Sequence, residues 1–450
     1  MAVRYTGKQP RSPVTTDQSR RTTVPPRLLV CGALLAFITG LAYFLYFGPT
    51  YQPDSPSYIV PAKNLLNGSG LMDARGHPDT VRTPGYPLFL APFLRVGLDL
   101  KYLVLFQHLL RILLIVAATA VAFSLTGKFR PAIIAGVLLC IDLPMLAAAN
   151  SVLTEMLFTV ILAVALWLLW RDSERPERWW SYFLLCAFLC GLSVLVRPIS
   201  LFIFVPAGAY LLLTRKAHKW RAAISFTLAF SVLPLSWATR NYVRSGYFTL
   251  STISGYNLLV YRAAGALAIE DPGKFATNLQ LRSEELQAQA CQDLTQIYHR
   301  DCSQLAFPVV SDYYSHLSRS ILASHRLAYI KLAARGAAAM MLGDDADAIM
   351  KMAGTAPTAT KVLILTYTLP ILCFAVIGLA KLWKENRRVF YLALLFILYF
   401  VVISAGGEAY SRFRVPIVPL YLILAASGID LVLWRILQKS DLASNPARKR

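Results

Sequence analysis

One carboxylate stands at the edge of a long apolar run. The stretch "YQPDSPSYIV" begins at Tyr51, just past about twenty apolar residues that end near Phe47, and sets Asp54 between two prolines. Further on, "HPDTVRTPGYPLFLAPFLRVG" brings Arg82 ahead of a Pro-Gly turn, before a second apolar helix that starts at Pro87. The loop therefore holds a carboxylate and a guanidinium at the same depth. A carboxylate can take a proton, and a guanidinium can hold a phosphate through paired hydrogen bonds. A plainer role for Asp54 also exists: Asp54 or Ser55 can cap a helix that has Pro56 in its first turn and ends near Asn67-Gly68. Capping does not explain the arginine that the loop returns to the same surface.

Other polar residues stand at the ends of apolar windows. Glu155, in "SVLTEMLF", either lines a site or caps the helix it opens. Arg197 precedes Pro198 between two short apolar halves, and charges at such breaks usually face a cavity. Arg240-Asn241 and the Arg412/Arg414 pair also lie at span ends, where a snorkelling anchor is the alternative to a phosphate or sugar contact. His108 and Arg111, one turn apart inside a window, read as packing and lipid contact. Tyr58 and Tyr86 are the aromatic candidates for substrate contact.

These residues need a membrane scaffold. The chain of 450 residues is 56% hydrophobic and only 15% charged, too apolar for a water-soluble domain of this size. Apolar windows recur near 28–47, 103–125, 132–149, 152–170, 181–196, 199–213, 222–238, 362–380, 389–404 and 416–434, predicting about ten membrane helices. The net charge of +21 gathers in the tails and alternate loops, in blocks such as "GKFR", "RDSERPER", "TRKAHKWR" and "KLWKENRR". That is the positive-inside pattern, so nucleic acid is not needed to explain the charge, and both termini are expected in the cytoplasm. The first window exceeds a signal-peptide core and has no cleavage motif after it. Residues 1–26 read as a disordered tail, 27–238 as an N-terminal membrane module with an outer loop at 49–102, 239–361 as a large outer helical loop, 362–435 as C-terminal spans and 436–450 as a basic tail. Within the large loop, "KFATNLQLRSEELQAQACQDLTQIYHR" and "SDYYSHLSRSILASHRLAYIKLAARGAAAMM" have helical spacing. Of seven cysteines, Cys31, Cys140, Cys186, Cys190 and Cys373 fall in windows; Cys291 and Cys302 share the large loop and read as a disulfide in an oxidising compartment.

The order of these motifs resembles the GT-C glycosyltransferases, and within them the protein O-mannosyltransferases and aminoarabinose transferases. The resemblance rests on "DSPSY", "RTPGYPLFLAPF", "SVLTEMLF", "GLSVLVRP", "RNYVRSGYFTLSTISGYNL" and "RFRVPIVPLYLILA", taken in order along nearly the whole chain. It implies an all-α polytopic bundle with interfacial helices on its outer face. It also implies that Asp54 is the catalytic base and that Arg82 contacts the lipid phosphate. Many members carry two acidic residues in tandem at the first position, where this chain has Asp-Ser; Glu155 is the candidate for a second carboxylate. The implied function is inverting transfer of a sugar from a polyprenyl phosphate to a glycan, lipid or protein acceptor, with membrane lipids as surroundings. The location it implies is the outer face of a bacterial cytoplasmic membrane. No cofactor is required by that chemistry, and a divalent metal is left open. A surface-polysaccharide polymerase or ligase is the nearest alternative enzyme. A lipid-linked sugar transporter or flippase is the alternative of another class, one that would place charges near the midplane of repeated halves.

Overall fold

The structure is a computed structural model and describes residues 24–174, 179–343 and 357–444. The tail expected to be disordered lies outside the described residues up to position 23, as do 175–178, 344–356 and the last six residues of the basic tail. Among the described residues the chain forms no named strand; the bundle is helical throughout.

Helix α1 (Pro26–Phe47) is apolar on every side and mostly faces outward, with Phe37, Ile38 and Leu45 exposed and Ala36, Gly40 and Tyr43 turned inward. A helix apolar all round belongs in a bilayer. Two short helices follow, α2 (Pro56–Leu66) and α3 (Gly85–Arg95), which pack on each other at one end of the bundle. Then come α4 (Leu100–Thr126), α5 (Phe129–Ile141), α6 (Leu143–Asn150), α7 (Glu155–Glu174), α8 (Trp179–Val196), α9 (Phe204–Thr214) and α10 (Lys219–Ser245). The large loop supplies α11 (Ile253–Asn257), a π-helical turn (Leu258–Ala263), α12 (Ala264–Ala268), α13 (Phe275–Tyr298), α14 (Phe307–Ser324) and α15 (Arg326–Leu342). The chain ends with α16 (Pro357–Glu385), α17 (Arg387–Ser404), a 3₁₀ segment (Ser411–Ile417) and α18 (Val418–Ser444).

Among the described residues, seven helices are long and apolar enough to cross a bilayer, and the bent pair α5–α6 makes an eighth if it counts as one span. The protein is thus a multi-pass membrane protein. The expected span at 132–149 is not straight. It bends by 51° at Asp142, whose carboxylate accepts from Met145 N at 2.9 Å and starts a new helix with Pro144 in its first turn. The expected break at Arg197-Pro198 is present, and the helices on either side are short. The second helical stretch of the large loop divides at His325 into α14 and α15. The 3₁₀ segment feeds directly into α18, which runs on to Ser444, beyond the expected start of the tail.

The core is built where helices come close. At the crossing of α16 and α18, a Cβ on Gly378 would lie 1.9 Å from Leu424 O, and one on Gly428 would lie 2.1 Å from Phe374 O. Small residues at such a crossing let backbones approach where no hydrophobic effect drives association. His108 and Arg111 of α4 are packing residues, but neither meets lipid. Arg111 is fully buried and donates to Ala36 O (3.0 Å), Thr39 Oγ1 (3.1 Å) and Cys140 O (2.6 Å), so it joins α1 and α4 to the end of α5 just before the bend. His108 Nε2 bonds Asn150 Oδ1 at 3.2 Å.

Candidate active site

The loops after α1 and before α3, α7, the break after α8 and the 3₁₀ segment before α18 all meet at one end of the bundle. Asp54 precedes α2 but caps nothing with its side chain. Ser55 is the residue at the cap position, and its hydroxyl donates instead to Val152 O at 3.0 Å, which seats the loop on the chain ahead of α7. The capping reading of Asp54 is therefore corrected. Its carboxylate is committed to cations: Arg82 Nη2 donates to Oδ1 at 2.7 Å, and Arg412 Nη2 lies 3.4 Å from Oδ2.

Arg412 continues to the second carboxylate, with Nε 3.1 Å from Glu155 Oε1, an ion-pair distance without an aligned N–H. Arg197 Nη1 reaches the same oxygen at 2.5 Å and also donates to Thr154 Oγ1 at 3.1 Å. Asp54, Glu155, Arg82, Arg197 and Arg412 thus form one network in which three guanidiniums face two carboxylates. The two acids differ in exposure. The Asp54 side chain is 38% exposed and can meet a substrate, whereas that of Glu155 is 2% exposed, and its Oε2 has no hydrogen-bond partner. Aromatic rings support the cations: Arg82 lies 4.9 Å over Tyr58, and Arg412 5.1 Å over Tyr410 and 5.5 Å over Phe413. Ser57 Oγ accepts from Arg82 Nε at 2.9 Å, which fixes the fork toward Asp54.

Several residues expected to touch substrate hold the scaffold instead. Tyr86 is fully buried behind Tyr58 and donates to Gln107 Oε1 at 3.0 Å. Arg240 donates to Asp79 O (2.8 Å) and Leu71 O (3.1 Å), so it ties both ends of a hairpin in the first loop. Asn241 is fully buried and donates to Thr249 O at 2.8 Å. Arg414, two residues from Arg412, points elsewhere: it donates to Met340 O, Met341 O and Gly343 O and satisfies the carbonyls that end α15. In all four cases the donors meet oxygens of the protein's own backbone or side chains, for which they suit as well as for phosphate.

Other supports were not singled out from the sequence. Asp79 is buried ahead of Arg82; its Oδ1 accepts from Val81 N (2.8 Å) and Arg82 N (3.4 Å), and burial pushes its carboxyl up to about 6. The signal was present in "PDTVR", an aspartate placed to close a turn on the residues after it. Arg262 donates to Ile403 O (2.8 Å) and Tyr329 OH (3.1 Å) and pairs with Glu408 Oε1 (3.4 Å), binding the large loop to the segment that leads into Arg412. Gly407 in that segment has no room for a side chain, since its Cβ would stand 2.4 Å from Tyr261 O. Cys291 and Cys302 are joined by a disulfide with Cα atoms 5.4 Å apart. Among the described residues, no group of three His, Cys, Asp or Glu side chains gathers as a metal set.

This geometry stands beside known proteins. Residues 77–237 match the family model described as dolichyl-phosphate-mannose-protein mannosyltransferase. No curated protein matches the chain. Among solved structures, the archaeal oligosaccharyltransferase AglB from Archaeoglobus fulgidus, in complex with an inhibitory peptide and a dolichol-phosphate, superposes with a TM-score of 0.53 at 13% identity. The match covers 92% of this chain and 51% of that one, so this chain spans about half the length of that protein. The fold is the GT-C fold. ArnT from Cupriavidus metallidurans, bound to undecaprenyl phosphate, is also matched, with a TM-score of 0.41, 13% identity and coverage of 95% of this chain and 81% of that one. The likeness shows the fold, a helical membrane bundle; the charged network at the end that carries the long loops is an observation on this chain.

Proposed function

We propose that the protein is an inverting glycosyltransferase that moves a sugar from a polyprenyl-phosphate donor to an acceptor at the outer face of a bacterial cytoplasmic membrane. One observation carries this reading: a half-exposed carboxylate, Asp54, is held between the guanidiniums of Arg82 and Arg412 at the loop end of a GT-C bundle. The positive-inside pattern supports the outer side, since it sets the long loops opposite the basic blocks.

In this reading the acceptor hydroxyl attacks C1 of the donor sugar, a C–O bond forms as the bond to phosphate breaks, and the hydroxyl proton passes to Asp54. The leaving group is the polyprenyl phosphate, whose growing negative charge needs cations. Arg82 and Arg412 are suited to that charge because both now lean on Asp54. A bound phosphate would draw them away and leave the Asp54 carboxylate more basic when the hydroxyl arrives. Glu155 plays a different part. Buried between Arg197 and Arg412, it fixes the direction of Arg412 rather than exchanging protons with substrate. A single displacement inverts the anomeric centre.

The test is to incubate the purified protein in lipid nanodiscs with a panel of polyprenyl-phosphate pentoses and hexoses, with and without envelope extract, and to follow release of polyprenyl phosphate. Anomeric analysis of the product decides the stereochemistry. No release from any donor by well-folded protein would reject the reading, and retention of configuration would reject the single displacement.

A further inference from the structure

The loop end of the bundle carries a cavity of about 320 Å³ that the Asp54 network does not use. One wall is the first-loop hairpin, residues 71–79, and the other is the turn between α13 and α14. Both walls are held by specific bonds. In the hairpin, Asp79 N bonds Leu71 O (2.9 Å) and Asp73 N bonds His77 O (2.8 Å), while Asp73 Oδ1 takes the N–H groups of Arg75 (2.8 Å) and His77 (2.9 Å). Asn64 donates to Met72 O and Asp73 O, and Arg240 straddles the base. The opposite wall is closed by the Cys291–Cys302 disulfide, and Arg75 Nη1 reaches across to Ser303 O at 3.3 Å.

The lining is of two kinds. Arg75 and His77 are exposed and Asp73 is part-exposed, while the part-exposed ring of Phe307 forms the aromatic surface, backed by the buried Leu294 and Tyr314. Small-molecule sites combine these features: a preformed concave volume of roughly 300–1,000 Å³, mostly apolar, with a few fixed polar groups. Val81 lines the cavity, and the next residue is Arg82, which holds Asp54. The cavity and the charged network therefore share one short stretch of backbone, fixed by Asp79 and by Ser251 Oγ donating to Val81 O at 2.5 Å.

We infer that this cavity binds a saccharide unit of the acceptor, beside the unit that is modified. An aromatic wall takes the C–H face of a sugar ring, and the forked donors and acceptors of Arg75, His77 and Asp73 suit its hydroxyls. The volume of about 320 Å³ favours a sugar ring over an extended peptide, which would use a strand edge or a long groove. The walls belong to the loops rather than to the long apolar helices, and their charged residues Asp73, Arg75 and His77 favour a sugar over a lipid chain. The inference rests on the glycosyltransferase reading above, and it deepens that reading by naming the acceptor class.

The experiment uses the full chain in nanodiscs with the donor that the wild type hydrolyses, labelled in the sugar. Two rates are read separately: hydrolysis to water without acceptor, and transfer into an envelope extract. Phe307→Ala and Arg75→Ala remove wall and rim contacts, and Ala306→Trp fills the cavity from its edge without removing one. All three should keep hydrolysis within about twofold of wild type, while transfer at limiting extract falls about 3- to 10-fold for the alanine variants and further for Trp. Retained hydrolysis shows that the variants are folded. The transferred label should resist protease, and its partition between organic and aqueous phases tells whether the glycan is lipid-linked or free. Unchanged transfer in all three variants overturns the cavity's role. A protease-sensitive product overturns the saccharide class. Absence of both hydrolysis and transfer in the wild type rejects the parent reading, and this inference with it.

Discussion

Replacing Asp54 with asparagine separates a proton acceptor from an ion-pair partner. The side chain keeps its size, and its oxygen can still accept from Arg82 Nη2, which now lies at 2.7 Å. What disappears is the negative charge and the ability to take a proton. If Asp54 served only as a partner for Arg82 and Arg412, the loss would be that of two ion pairs on a side chain that is 38% exposed. Such pairs are worth about 0–1 kcal/mol each, about 0–2 kcal/mol together, so the rate should stay within about thirtyfold. If Asp54 is the base, the rate should fall about 10²–10⁴-fold, which is about 3–5 kcal/mol on the barrier. Donor affinity gives an independent sign. The network now holds three guanidiniums against two carboxylates, and the variant leaves only Glu155 to oppose them, so phosphate binding should hold or tighten. The assay is single-turnover sugar transfer in nanodiscs, with donor binding measured by displacement of labelled polyprenyl phosphate and folding checked by thermal midpoint. A folded Asp54→Asn protein that turns over within about thirtyfold of wild type refutes the base. A variant that binds donor much more weakly refutes the idea that Asp54 competes with phosphate for the arginines.

Glu155→Gln should behave in the opposite way: it leaves Arg197 and Arg412 buried without their shared anion, which costs about 3–5 kcal/mol of stability and lowers the thermal midpoint well before any kinetic comparison; an unchanged midpoint would show that the pair is not holding the bundle. Arg82→Ala should weaken donor binding by more than tenfold and Arg82→Lys by less, because lysine keeps the charge and loses the fork; equal effects in a donor titration would reduce Arg82 to a point charge. Asp79 has a folded-state carboxyl raised from 3.8 to about 6, so the folded state holds its proton more tightly. Its contribution favours folding at pH below about 4 and is lost as pH rises toward about 6. Asp79→Asn should match wild type in stability near pH 4 and exceed it by up to about 3 kcal/mol at pH 7, read as the difference between the two denaturation curves; parallel curves would refute the shift. Reporter fusions should place residues 171–180 and 381–388 in the cytoplasm and 250–350 outside, and a cytoplasmic signal from the large loop would put Asp54 on the wrong side for an outer-face acceptor.

The parts of this molecule that could be read in its sequence share one property: they are exceptions to an apolar background. Asp54, Arg82, Glu155, Arg197 and Arg412 stand at the ends or breaks of hydrophobic windows, where a charge is costly and so has a reason to be there. The same argument marked Arg240, Asn241 and Arg414, yet these reach backbone oxygens rather than the network. Hydropathy cannot tell the two groups apart, because a guanidinium that satisfies the carbonyls ending α15 has the same composition and depth as one that faces a phosphate. Only the direction of the side chain separates Arg412 from Arg414, and that direction is set by a 3₁₀ turn in which neighbours two apart point to different sides. The bend at Asp142 escapes hydropathy for a related reason. The run "AGVLLCIDLPMLAAAN" looks like one span when hydrophobicity is averaged, although Asp-Leu-Pro is a helix start when it is read residue by residue. The bend matters for the site. It turns α6 so that Asn150 and Ser151 meet the end of α1, where Thr50 N bonds Asn150 O at 3.0 Å and Asn150 Nδ2 donates to Gly48 O. Without that turn the loop bearing Asp54 would have no fixed seat beside Glu155, and the two carboxylates could not share Arg412.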